Sequence, residues 1–283
     1  MNRKALVLLS AVLLLFAGAS TGCKKLQARD NLNKGVQAFK NAKYGDAVEF
    51  FKKAIELDPT FPTARLYLAT AYMSQYIPGA DSPENVGFAK NATDVFMDVL
   101  RDDPKNTTAL KSLASLAYQQ ANGAQGTEQK LKQLDIAAEW NKKLAEADPN
   151  EKEAFYSLGV ISWAKFYPAW MAARNKLGMK PEAPGPIKDK KVRTELASEY
   201  GVVVKGGIAN LERALQIDKE YDEAMAYLNL LHREWADVAE NEADYRKETE
   251  LADQWMSKTL ETRKIKAERA PKTQGIVSEE PSK

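Results

Sequence analysis

The stretch DAVEFFKKAIELDPT, residues 46–60, decides the fold. Ala47, Phe50, Phe51, Ala54 and Leu57 recur at steps of three and four, so they share one face of an amphipathic helix. Pro59 ends that helix, because proline biases the residue before it away from helical geometry. The same grammar returns in NATDVFMDVLRDDPKN, residues 91–106, and IAAEWNKKLAEADPN, residues 136–150. Pro59, Pro104 and Pro149 stand at equal intervals of 45 residues. Self-similarity at a fixed period of this size predicts stacked helical units. A fourth copy, GIANLERALQIDKEY at 207–221, has Lys219 in place of the proline. Partner helices are predicted between these at ARLYLATAY (64–72), KSLASLAYQ (111–119), AFYSLGVISW (154–163) and AMAYLNLLH (224–232).

Several positions carry a resemblance. Leu68, Ala69 and Tyr72 fit one first helix, Phe155, Leu158 and Gly159 another, and Leu228 with His232 a third. Ala47, Phe51, Ala54 and Pro59 fit a second helix, as do Ala92, Phe96 and Pro104. In this pattern the chain resembles the tetratricopeptide repeat (TPR) family over roughly residues 27–262. The resemblance implies an all-α, right-handed α-solenoid of stacked antiparallel helix pairs, about five repeats over residues 31–263. It also implies small residues at close helix crossings, which Gly35, Ala54, Ala92 and Gly207 would supply. The family repeat is about 34 residues long, so loop insertions are expected. Two fall at QYIPGADSPENVGF (75–88) and QANGAQGTEQ (120–129), the first holding a helix start at Ser82-Pro83-Glu84. The largest is 165–191, with Pro168, Pro181, Pro184 and Pro186 breaking any single helix and Phe166, Tyr167, Trp170 and Met171 supplying bulk. It reads either as an aromatic plug packed on the solenoid or as a partner-binding loop. Residues 264–283 read as a charged, disordered tail.

The family binds partners along a concave groove lined by first helices. Carried over, that places Leu66, Thr70 and Met73, then Tyr118 and Gln119, then Tyr156, Val160 and Trp163 on the groove. An apolar, aromatic strip of this kind marks an interaction site. The competing expectation is that KFYPAW, residues 165–170, folds back and fills the strip, with Trp163 in the core.

The N-terminus has its own logic. Arg3 and Lys4 precede an almost wholly apolar run, Ala5 to Ala17, followed by small residues and Cys23, the sole cysteine. A charged start, a short apolar run and a small-residue exit describe an export signal over residues 1–22. Ser20-Thr21-Gly22-Cys23 resembles a bacterial lipobox, with Ser20 where that motif usually has Leu. The resemblance implies acylation of Cys23, a lipidated linker over residues 23–30, and, with Lys24 following the cysteine, an outer-membrane address facing the periplasm.

Residues 1–22 carry two cations and no acids, so the remaining chain balances 39 basic against 39 acidic residues. Such a balance offers no footprint for nucleic acid. The one histidine, His232, sits on an apolar helical face and reads as a core or half-buried side chain. One histidine and one cysteine leave no Cys/His metal cluster and no Cys-His nucleophile pair. VVVKGG, residues 202–207, is no phosphate loop, since its Lys precedes the glycines. No cofactor is expected. The reading is a lipid-anchored, non-enzymatic scaffold that binds a protein or peptide of an envelope machine. Two alternatives are a periplasmic chaperone accessory held by an uncleaved N-terminal helix, and an enzyme with its site in 165–191.

Overall fold

The period of 45 residues appears in the structure as repeated burial. A computed structural model describes residues 23–180 and 185–269, and every regular element among them is α-helical. The helices are α1 (23–40), α2 (Tyr44–Leu57), α3 (Pro62–Met73), α4 (Pro83–Asp102), α5 (Thr107–Gly123) and α6 (Thr127–Ala147), then α7 (Lys152–Lys176), α8 (Lys190–Ile217), α9 (Asp222–Ala236) and α10 (Glu242–Arg269). They pair in order, and the chain divides into two compact units at Pro149–Asn150. One unit holds the pairs α1–α2, α3–α4 and α5–α6; the other holds α7–α8 and α9–α10.

Register is kept from pair to pair. The second helices bury Ala47, Phe51 and Ala54, then Ala92, Phe96 and Val99, then Ala137, Asn141 and Leu144, then Gly207, Leu211 and Ala214. The first helices bury Ala64, Leu68 and Ala71, then Ala109, Leu113 and Leu116, then Ala154, Leu158 and Ile161, then Ala224, Leu228 and Leu231. Asn141 stands where Phe51 and Phe96 stood, and its amide donates to the Ala137 carbonyl at 2.9 Å, so the buried polar group is satisfied. Small residues do sit at the crossings. A methyl on Gly35 would meet the Phe51 ring at 2.4 Å, and one on Gly207 would meet Ser162 Cβ at 2.5 Å.

Helix ends repeat as well. Asp58, Asp103, Asp148 and Asp218 each close a second helix with φ between −139° and −130°, an extended backbone that turns the chain out of the helix. In the fourth copy Asp218 does this without a proline, its carboxylate accepting from the Glu220 amide at 2.9 Å. Ser82 caps α4, accepting from the Asn85 amide at 3.2 Å, with Pro83 in the first turn.

Three boundaries differ from the sequence reading. Residues 23–30 are helix rather than linker: 23–34 hold neither Gly nor Pro, and Ala28 is fully buried in continuation of Gly35 and Ala38. The 165–191 insertion is mostly a lengthening of the α7–α8 hairpin. Pro168 sits inside α7, on its exposed side, while Phe166, Trp170 and Arg174 bury the other side and hold the helix through it. Finally, α10 continues past residue 263 to Arg269. Arg263 and Lys266 pair with Asp222, and Arg269 grips both carboxylate oxygens of Glu220 at 2.8 Å. The signal at 1–22 and the tail from residue 270 lie outside the described residues. No helix among the described residues is long and apolar enough to cross a membrane.

Candidate functional site

In the second unit the first helices bring six rings into one ladder. Tyr221 meets Tyr156 at 5.0 Å between centroids, Tyr156 meets Tyr227 at 5.7 Å, and Tyr227 meets Trp163 edge-on at 5.6 Å. Trp163 then meets Tyr167 at 4.8 Å, and Tyr167 meets Trp170 at 5.6 Å. Steps of seven, four and three place Tyr156, Trp163, Tyr167 and Trp170 along one side of α7. Tyr156, Trp163, Tyr167 and Tyr227 are half-buried, while Tyr221 and Trp170 close the ends inside the core.

Both ends are polar. At one, Tyr221 donates to Glu153 at 2.8 Å, and Lys152 lies 4.5 Å over the Tyr221 ring while pairing with Asp218 at 2.6 Å. Burial, then the bond to Glu153, pushes the Tyr221 hydroxyl upward. At the other, Asp237 accepts from the Trp170 indole at 2.9 Å and pairs with the buried Arg174. Burial raises the Asp237 carboxyl, offset in part by Trp170 and Arg174. Arg174 also donates to the Lys180 carbonyl, and the Ile187 amide to the Asp237 carbonyl at 3.0 Å. These bonds fix the hairpin tip on the end of α9.

Between the ends lies Glu234, 5% exposed. Its Oε1 accepts from the Trp163 indole at 2.9 Å, and Oε2 is buried with no hydrogen-bond partner among the described residues. Burial pushes its carboxyl up to about 8, with Asp237 adding to the rise and Trp163 opposing it.

The sequence-derived groove residues fare differently. Val160 is only 7% exposed, hence core and not groove. Trp163 is neither free nor covered by a folded-back KFYPAW. That segment continues α7, and Trp163 packs between Tyr167 and Tyr227 with its N–H spent on Glu234. Tyr156 is in the ladder. In the first unit Leu66 and Met73 are half-buried against the α3–α5 core. Thr70 donates to the Leu66 carbonyl at 2.8 Å and Gln119 to the Ser115 hydroxyl at 3.3 Å, while Tyr118 is half-buried. Tyr221 and Tyr227 are the ladder members that the sequence reading does not single out; Tyr167 and Trp170 stand in it only as bulk of the 165–191 insertion, although Tyr167 is a step of four from Trp163.

His232 is buried with Nδ1 2.6 Å from Glu248 Oε2. Among the described residues no three His, Cys, Asp or Glu side chains gather to hold a metal. Among the described residues, one shallow cleft of about 360 Å³ lies beside Leu215, Met225 and Trp255, and another of about 270 Å³ beside Tyr76, Val86 and Gln120.

Paired, in-register helices of this kind define a TPR-like helical repeat protein, an architecture that serves as an extended binding surface. Solved structures carry the same fold. A crystal structure titled MamA protein matches with a TM-score of 0.50 and 13% identity, over 87% of this chain and 97% of that one. A double mutant titled MamA RS-1 matches at 0.50 with 16% identity, over 86% and 97%. A thermophilic TPR protein from Thermus thermophilus aligns at 0.40 with 18% identity, over 72% and 98%. No protein-family model and no curated protein matches the sequence.

Proposed function

We propose that this protein is a membrane-anchored TPR-type scaffold that binds a protein segment across the aromatic ladder of its second unit. The observation that carries this reading is the run of four half-buried rings on the first helices, braced at both ends by buried polar contacts. Rigid aromatic side chains give large contact area with few rotors to freeze, and such anchors dominate interface energies. The anchor is read from the sequence: an export signal over 1–22 ending at Cys23, which is exposed on α1. Acylation there would tether the chain to a bacterial outer membrane, with its partner in the periplasm. An enzyme gains no support from the 165–191 segment, where the buried Trp170 and Arg174 are committed to packing the hairpin tip.

The test uses the full chain, tagged and solubilised from membranes. Wild type captures a defined partner, and Tyr167→Ala/Tyr227→Ala weakens capture by about 2 kcal/mol or more. Cys23→Ser moves the chain to the soluble periplasmic fraction. Undiminished capture by the double variant would remove the ladder from the site, and intact-mass analysis finding residues 1–22 still attached would remove the lipid anchor.

A further inference from the structure

The first helix carries a charge pattern that its packing does not use. Lys24, Lys25, Arg29, Lys34 and Lys40 lie on α1 against one acid, Asp30, while residues 23–283 as a whole are balanced. Asp30 is taken by Lys34 at 2.7 Å. Lys24, Lys25 and Arg29 are exposed, and among the described residues none of them forms an ion pair. Their charge reaches Asp58, whose carboxylate is held below its usual value first by the Thr60 hydroxyl and then by Lys25 and Arg29. Leu26 stands among them, 68% exposed. By helical spacing Cys23, Leu26 and Arg29 lie opposite the buried stripe of Ala28, Gly35 and Ala38.

What lies beyond this helix in sequence names the occupant. The apolar run Ala5–Ala17 ends six residues before Cys23. A chain held by that run, or by acyl groups on Cys23, therefore has its first α1 turn within a few residues of a bilayer. From Cys23 onward the described chain is helical, and it is packed from Ala28. We propose that the outer face of α1 over residues 25–29 lies flat on an anionic phospholipid surface, Leu26 in the headgroup layer and Lys25 and Arg29 on lipid phosphates. This rests on the N-terminal membrane attachment proposed above. A basic residue near such a surface is worth about a fivefold gain in partition, so two of them favour the flat orientation over a free tether. The consequence is an oriented first unit.

The experiment places one probe beside this face in the full chain, reconstituted through its own N-terminus. Gln27→Cys is labelled with an environment-sensitive dye and quenched with neutral acrylamide, in vesicles with and without phosphatidylglycerol. Acylated Cys23 cannot react, so one dye per chain by mass supports the lipid anchor and two refute it, independently of the orientation. The predicted result is a blue-shifted dye protected from acrylamide on phosphatidylglycerol vesicles. Lys25→Glu/Arg29→Glu restores quenching to the level of pure phosphatidylcholine while the chain still sediments with vesicles. Equal quenching in both vesicles and in the double variant overturns the proposal. Protection without vesicles that is lost on dilution also overturns it, by giving the face to a second copy.

Discussion

Glu234 shows how one side chain links the ladder to pH. A carboxyl raised from 4.5 to about 8 keeps its proton in the folded chain through neutral pH and loses it in the unfolded chain. Folded molecules then bind more protons than unfolded ones, so this group's stability contribution is full below about 4.5 and is lost as pH rises through about 8. The slope is ~1.4 kcal/mol per pH unit within that window. Glu234→Gln is predicted to flatten the decline, read as denaturant midpoints at pH 5 and pH 8, and Asp237, shifted in the same direction, leaves a residual slope. An unchanged pH dependence in the variant would mean that Glu234 is ionised in the fold. Trp163 is the partner that makes this burial tolerable. Trp163→Ala leaves a cavity between Tyr167 and Tyr227 and strips Glu234 Oε1 of its donor, so it should cost ~3–5 kcal/mol in chemical denaturation. Near-wild-type stability would instead make Trp163 a surface residue.

Among the helices, α7 exposes the limits of local punctuation. Pro168 removes one backbone donor and crowds the preceding turn, which is why a stop was read there. Tertiary contacts outweigh it: Phe166, Trp170 and Arg174 lock the buried side, and the proline faces solvent. Pro168→Ala should therefore stabilise the second unit, on the order of 1–3 kcal/mol by thermal melting. A loss on substitution would show that the helix needs the kink. The paired helices were legible because Ala47, Phe51, Ala54 and their equivalents obey one period, and because aspartate closes each second helix. The ladder was half legible. Tyr156 and Trp163 lie on a recognisable repeat position, whereas Tyr167 stands directly before a proline, Trp170 lies past it, and Tyr221 and Tyr227 join the ladder only across a helix pair. Val160 lies four residues from Tyr156 and three from Trp163, so spacing puts it on their side of α7, and only its burial shows that this position is covered. The α1 linker was misread for a simpler reason: a lipid attachment motif implies a tether, and the apolar stripe Ala28, Gly35, Ala38 is made of residues too small to register as a core.

At the scale of the whole chain, the two units carry different surface features. The first carries the basic, outward face of α1 that continues from the N-terminal apolar run, and the second carries the aromatic ladder. Nearest-neighbour stacking lets a repeat protein lengthen one hairpin without disturbing the register of the others, and α7–α8 has done so while Ala154, Leu158, Gly207 and Leu211 keep their buried positions. The lengthened hairpin supplies Tyr167 and Trp170 to the ladder, so the departure from the repeat is also what enlarges the candidate face. That claim is tested most directly by photo-cross-linking in intact cells, with a benzophenone amino acid at Tyr167 and a control at Val202, which is 86% exposed on α8. The account predicts a discrete, partner-sized adduct from position 167 and none from 202. No adduct at 167, or the same adducts from both positions, would contradict it.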